Sequence, residues 1–414
     1  MEKRVVITGM GVVSPLGNKV DTFWENLIAG KNGITTQDWL VDEGFNATVA
    51  AAVKDEVNID DVVDFKEARR MDPFTRYAVY SAREAIDQSG LNLDNEDRSR
   101  IGVIIGSGVG GLYTFEEQHT MLVKRGHRRV SPFFIPMMIP DIAAGFVSII
   151  WGLQGPNFSV NSACATAAHA IGLGLRSIRH GDADVVVCGG ADAALTHMGF
   201  AGFANMKALT FNPDPETASR PFDKERDGFV MGEGGGIFVL ESLEHAQARG
   251  ATILGELAGF GMTADAYHIT SPAPEGEGAQ RAMKLALDDA GLAPEDVDYI
   301  NAHGTSTPAN DRNESKAIKA VFGDHAYKLA ISSTKSMTGH LLGASGGVEL
   351  AALVNTIRTN TIAPTIHHQN PCDECDLDYT PGTAAQRDVR AGISNSFGFG
   401  GHNAVLAVKE FKSE

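Results

Sequence analysis

The chain has 414 residues, of which 43% are hydrophobic, 46 are glycine and four are cysteine, and its formal net charge is −17. That length suffices for large buried cores in two or three domains, while the negative field argues against a nucleic-acid-binding surface. No apolar run of about 18 residues occurs, so no membrane span is expected, and so few thiols in so long a chain point to a reduced, cytoplasmic protein rather than a disulfide framework.

The first apolar segment, Val5-Val6-Ile7, is too short for the core of a signal peptide. It reads as a buried strand ending in Gly9-Met10-Gly11. Asp21 is expected to cap a helix with the apolar stripe Trp24, Leu27 and Ile28, ended by Gly30. A second helix runs through Ala85 to Gly90, a left-handed C-cap position, and the strand Ile101–Ile105 follows. Gly106 to Gly111 matches the dinucleotide pattern G-x-G-x-x-G. The acidic residue that should follow is missing, since that region reads Gly126-His127-Arg128-Arg129, and nicotinamide binding is rejected.

Asn161 and Ser162 are helix-capping types placed before the alanine-rich run Ala163 to Ala170, and Arg176, Arg179 and His180 fall in the last turn before Gly181. Cys164 therefore lies at a helix N-terminus. Free N–H groups and the helix dipole there favour a thiolate, with a pKa below about 8.5. A small buried hydrophobe is the competing reading for any free cysteine. It is preferred for Cys188, which sits within the apolar strand Asp184–Cys188.

Leu257 to Met262 repeats the strand with Gly-x-Gly. A helix ending at Ala290-Gly291-Leu292 and the strand Asp298-Tyr299-Ile300 follow in the same order as in the first part. The chain thus divides into two similar α/β halves, 1–250 and 251–414, with extra sequence at about 12–80 in the first. Fully apolar strands indicate sheets covered on both faces, which gives a layered α/β/α/β/α architecture. His303 stands where a strand runs into a small-residue loop, with Asn310, Asp311 and Glu314 beyond it. Ile331 to His340 leads into a helix in the position that the Cys164 helix holds in the first half, so Cys164, Lys335 and His340 can converge. Ser394 to Asn403 is a glycine-rich turn whose N–H groups suit an oxyanion. Pro371-Cys372-Asp373-Glu374-Cys375 matches the zinc-deaminase spacing P-C-x-x-C, but no His-x-Glu precedes it, and it reads as a surface loop with two thiols.

Four of these segments carry a family resemblance: Ala163-Cys164-Ala165-Thr166, His303-Gly304-Thr305-Ser306-Thr307-Pro308, Thr334-Lys335-Ser336-Met337-Thr338-Gly339-His340 and Asn395-Ser396-Phe397-Gly398-Phe399-Gly400-Gly401. Together they resemble the β-ketoacyl-acyl-carrier-protein synthases of the elongating type I/II, over essentially the whole chain. The resemblance implies the thiolase-like five-layered fold and condensation of malonyl-carrier protein with an acyl group held on Cys164.

Implied roles follow residue by residue. His303 and His340 stabilise the enolate, Lys335 tunes the site, and Glu314 pairs with Lys335. Phe399 gates the nucleophile, and its N–H with that of Cys164 holds the oxyanion. Thr305, Thr307, Thr270 and Ser271 bind the pantetheine arm, and Val109 and Phe203 line the acyl pocket. The resemblance also implies a homodimer with no required cofactor. A monovalent cation is expected at Asn301, Glu349, Ser394 and Asn395. An acidic carrier protein would meet a basic patch of Lys66, Arg69, Arg70, Lys124, Arg125, Arg128, Arg129 and Lys207. A thiolase would need a second cysteine near the C-terminal loop, where this chain has Phe397 and Phe399. An inactive chain-length factor would lack Cys164.

Overall fold

The computed structural model describes residues 3–412. Its frame is a ten-stranded sheet. In the first half the strands are β1 (Val5–Val13), β2 (Ile101–Gly106), β3 (Asn157–Phe158), β4 (Val185–Asp192) and β5 (Gly234–Ser242). In the second half they are β6 (Gly255–Ala264), β7 (Tyr299–Asn301), β8 (Ala330–Ser332), β9 (Ala391–Gly398) and β10 (His402–Lys409). The first five are ordered β1-β5-β4-β2-β3 and the last five β6-β10-β9-β7-β8. The directions match as well. The first two pairings of each half are antiparallel and the last two parallel. β1 and β6 join the halves through the pairs Val6–Glu256 and Ile7–Gly255.

Side-chain alternation sets the layers. Val186 and Cys188 of β4 and Leu406 and Val408 of β10 enter one shared core with the helices Thr166–His180 and Ser345–Thr359. Val185 and Val187 face the opposite way, against the helix Pro73–Ser89. Val405 and Ala407 face outward on their side, against the helix Glu277–Ala290. The result is helix, half-sheet, central helix pair, half-sheet, helix.

The repeated Gly-x-Gly has a packing cause. A Cβ on Gly11 would stand 2.0 Å from the Ser81 carbonyl oxygen, and one on Gly261 would stand 2.0 Å from that of Ala282. Each outer helix lies directly on its strand, and glycine makes the approach possible.

The two central helices also correspond. Each follows a 3₁₀ turn, Ala163–Ala165 or Leu342–Ala344, whose first residue takes a positive φ, +50° at Ala163 and +52° at Leu342. The expected caps shift locally. The first helix is Val20–Ile28 with Lys19 at the cap position, so Asp21 sits in its first turn instead. Gly90 and Gly291 end their helices in the left-handed conformation as expected. Among the described residues no helix is long and apolar enough to cross a membrane.

Candidate active site

Cys164 is buried in the 3₁₀ turn that precedes the central helix. Ser162 does not cap that helix. Its Oγ is 2.8 Å from His169 Nδ1, and its N–H donates to Thr166 Oγ1. Gly398 presses on the turn, since a Cβ there would meet the Ser162 carbonyl oxygen at 2.6 Å. This close approach brings the N–H of Phe399 to the Cys164 sulfur, beside the N–H of Cys164 itself.

The thiol does not have the low pKa expected from the helix start. Burial pushes it up to about 11, against the opposing pull of the Lys335 ammonium and those two N–H groups. A helix terminus lowers a thiol pKa only where the sulfur keeps enough solvation, and this one has lost it.

A cavity of about 310 Å³ holds Cys164, His303 and His340 together with Phe399, Phe203, Thr270, Ser271, Thr305 and Thr307. The His303 and His340 rings stand edge to face with centroids 5.4 Å apart. His303 Nδ1 is 3.4 Å from Lys335 Nζ, and His340 Nδ1 is 2.9 Å from Ser345 Oγ. Burial, then Lys335 and the neighbouring His340, hold His303 well below the ordinary imidazole pKa. Burial and Lys335 do the same to His340. Both rings are neutral at physiological pH.

The expected pairing of Lys335 with Glu314 is not found. Lys335 Nζ bonds the carboxylate of Glu349 and donates to the His303 carbonyl at 2.6 Å. Glu314 instead accepts from the backbone N–H groups of His303 and Gly304, both at 2.8 Å, and from Asn395 Nδ2 at 3.0 Å. It fixes the loop that carries His303. Burial pushes its carboxyl up to about 7 against those donors.

Val109 is not among the residues lining the cavity and is 38% exposed. Within one chain its loop packs on Met137, Met138 and Pro140 and leaves the side chain at the surface. Sequence reasoning missed Asp192, which ends β4. Its buried carboxylate accepts from Ser107 Oγ and from the N–H groups of Gly108, Val109 and Gly343. It ties the glycine loop to the 3₁₀ turn that follows His340. A lone acid after a fully apolar strand was the available signal.

Asn301, Ser394 and Asn395 are buried on adjacent strands, with Asn301 and Ser394 in register, and Glu349 is buried as well. Asn301 Oδ1, Glu349 Oε2, Ser394 Oγ and Asn395 Oδ1 have no hydrogen-bond partner. Among the described residues no cluster of three or more His, Cys, Asp or Glu side chains could hold a metal ion.

Lys66 and Arg69 are exposed, and the Arg70 guanidinium lies 4.1 Å from the Phe133 ring centroid. That contact links the helix Phe65–Ala68 to the segment following Lys124, Arg125, Arg128 and Arg129, all exposed. Lys207 is exposed at the cavity rim.

Residues 2–246 match the β-ketoacyl synthase N-terminal domain and residues 254–369 the C-terminal domain. Curated relatives include 3-oxoacyl-[acyl-carrier-protein] synthase 2 of Staphylococcus aureus (strain N315), 55% identical over 99% of both chains. The Synechocystis protein of the same name is 51% identical over 99% of both. Among solved structures, a type II polyketide ketosynthase in complex with its acyl-carrier protein and bound to the hexaketide is matched with a TM-score of 0.92 and 33% identity, covering 100% of both chains. A β-ketoacyl synthase from Burkholderia phymatum matches at 0.92 and 37%, covering 99% of this chain and 100% of that one. Fold and matches define a carbon–carbon bond-forming acyltransferase of the thiolase-like class. The chain belongs to the β-ketoacyl synthase family, and within it to the elongating, synthase 2-like type.

Proposed function

We propose that the protein elongates acyl groups delivered by acyl-carrier protein, with Cys164 as nucleophile and His303 and His340 as the decarboxylation pair. The observation that carries this reading is the shared cavity: one sulfur faced by two backbone N–H groups and two neutral imidazoles.

The Cys164 sulfur attacks the acyl thioester, and the N–H groups of Cys164 and Phe399 hold the oxyanion. Collapse expels the pantetheine sulfur, which takes the proton lost by the thiol. With a thiol pKa near 11, ionisation accompanies substrate arrival rather than preceding it. Malonyl-carrier protein then enters along Thr305 and Thr307, whose hydroxyls are 2.9 Å apart, and Thr270 and Ser271 complete the pantetheine channel. Lys335 can only donate to Nδ1 of His303, which leaves that ring's proton on Nε2, and the mechanism uses the same tautomer at His340, with Ser345 Oγ donating to Nδ1. Two Nε2–H donors stabilise the enolate oxygen as carbon dioxide leaves. The new carbanion attacks acyl-Cys164, and expulsion of the thiolate gives the 3-ketoacyl product.

The carrier protein is acidic and docks on Lys66, Arg69, Arg70, Lys124, Arg125, Arg128, Arg129 and Lys207, a positive patch on a chain of −17. The enzyme works as a cytoplasmic homodimer. The open edge of β3, with Phe158 at 41% exposure, and the exposed Val109, Phe133 and Ile135 support a partner subunit there, which would enclose the acyl pocket that one chain leaves open. No cofactor enters the chemistry. The four unpartnered oxygens of Asn301, Glu349, Ser394 and Asn395 fit a monovalent cation, whose charge would satisfy them and brace the strand ends below His303.

Separate assays of the two half-reactions test this. Cys164→Ala should abolish acyl transfer and leave malonyl decarboxylation measurable. His303→Ala and His340→Ala should each lower decarboxylation at least a hundredfold while acyl-enzyme still forms. Decarboxylation at the wild-type rate in both histidine variants would remove the pair from the mechanism.

A further inference from the structure

We propose that Cys372 and Cys375 form a reversible dithiol–disulfide couple, responsive to hydrogen peroxide, behind the wall of the substrate cavity. The geometry comes first. The two residues close a tight turn in which the Cys375 N–H donates to the Cys372 carbonyl at 3.0 Å, and they face each other as an antiparallel bridge. Bridge partners have Cα atoms about 4.5–5.5 Å apart. That lies within the range of about 4.4–6.8 Å that a disulfide spans. The turn is held in place from outside, because the N–H groups of Gln369 and Asn370 donate to Asp223 Oδ2 at 2.7 and 2.6 Å.

The two thiols are unlike. Cys372 is half-buried, and the Arg226 guanidinium donates to its sulfur at 3.6 Å. Burial opposes ionisation there, but Arg226 and the N–H groups of Glu374 and Cys375 prevail and hold the thiol below its ordinary pKa. Cys375 is 4% exposed, in an apolar cluster with Leu377 and Tyr379, and burial pushes its thiol up to about 12. A more exposed thiol beside a guanidinium, next to a sheltered thiol, is the division between attacking and resolving cysteine.

The Cys372 thiolate attacks one oxygen of hydrogen peroxide, breaks the O–O bond and becomes a sulfenic acid, and the departing hydroxide takes a proton. The Cys375 sulfur then displaces hydroxide from that sulfenic acid. Its own proton leaves with the hydroxide as water. Two thiols and one peroxide give one disulfide and two waters. The bond removes the Cys372 thiolate from Arg226 and leaves the buried Asp311 carboxylate, 3.7 Å from Nε, as its remaining counter-charge. Arg226 also donates to the carbonyls of Thr307 (3.4 Å) and Pro308 (3.3 Å), and both residues line the cavity. Oxidation therefore loosens one anchor of the pantetheine wall, while the contact of Arg226 with the Asp223 carbonyl remains.

The full-length protein is titrated with peroxide, quenched with N-ethylmaleimide, digested and read by mass spectrometry. The expected result is a peptide spanning both cysteines that lacks two hydrogens, takes up no maleimide, and takes up two after dithiothreitol. Cys375→Ser should stop at a Cys372 sulfenic acid captured by dimedone, and Cys372→Ser should leave Cys375 a free thiol; both variants should keep the basal condensation rate. The proposal is overturned if both thiols remain fully alkylatable at peroxide doses that oxidise Cys164. It is equally overturned if Cys375 oxidises as fast without Cys372.

Discussion

Replacing Lys335 by methionine is the perturbation whose cost the structure specifies best. The side chains of Lys335 and Glu349 are 2% and 3% exposed, and they are bonded to each other. Removing the cation strands a carboxylate without solvent, which costs about 3–5 kcal/mol, and losing the bond to the His303 carbonyl adds about 1 kcal/mol. Glu349→Gln strands the ammonium and should cost a similar amount. The double variant Lys335→Met with Glu349→Gln removes both charges. It should be no worse than the more damaging single variant, so the coupling is at least about 3 kcal/mol, the cost of the milder single. Urea unfolding of the four proteins measures it. Additivity to within about 0.5 kcal/mol, or an equally large coupling of Lys335 with Glu314→Gln, would refute the assigned partner.

Further outcomes follow from the same geometry. Alkylation of Cys164 by iodoacetamide should keep accelerating through pH 9 without a plateau, because burial holds its pKa near 11, and a plateau by pH 8 would contradict this. Gly11→Ala would place a Cβ 2.0 Å from the Ser81 carbonyl oxygen and force the outer helix off its strand. It should destabilise the protein by about 3 kcal/mol in the same unfolding assay. Arg125→Glu with Arg128→Glu should raise KM for acyl-carrier-protein substrates about tenfold at low salt and less at high salt. It should leave KM for a small pantetheine thioester unchanged, and equal effects on both substrates would dismiss the docking patch.

Much of this molecule can be read from its residues. The duplication shows because Gly-x-Gly and the Gly-capped helices recur in order, and both patterns have local steric causes. Strand ends and helix starts make Cys164, His303 and His340 legible as one cavity, whereas the threonines are reached through the family resemblance. What failed depends on tertiary neighbours. Glu314 and Glu349 are both acids within reach of Lys335 in sequence, and only the packing of the Ser345–Thr359 helix delivers Glu349. The thiol pKa departs from the expectation because a helix start is a local feature and desolvation is not. Val109 sits on the surface of the single chain because its loop packs against a segment that no periodicity connects to it. The role of Asp192 is not legible in the sequence because its donors, at 107–109 and at Gly343, lie far from it along the chain.

The most direct test is to incubate the enzyme with acyl-carrier protein bearing a labelled acyl chain, without malonyl substrate, and to map the label by peptide mass. Label confined to Cys164, and lost on adding malonyl-carrier protein as a 3-ketoacyl product two carbons longer, is the predicted result. A stable label on any other residue, or turnover that persists in Cys164→Ala, would contradict a mechanism built on that sulfur.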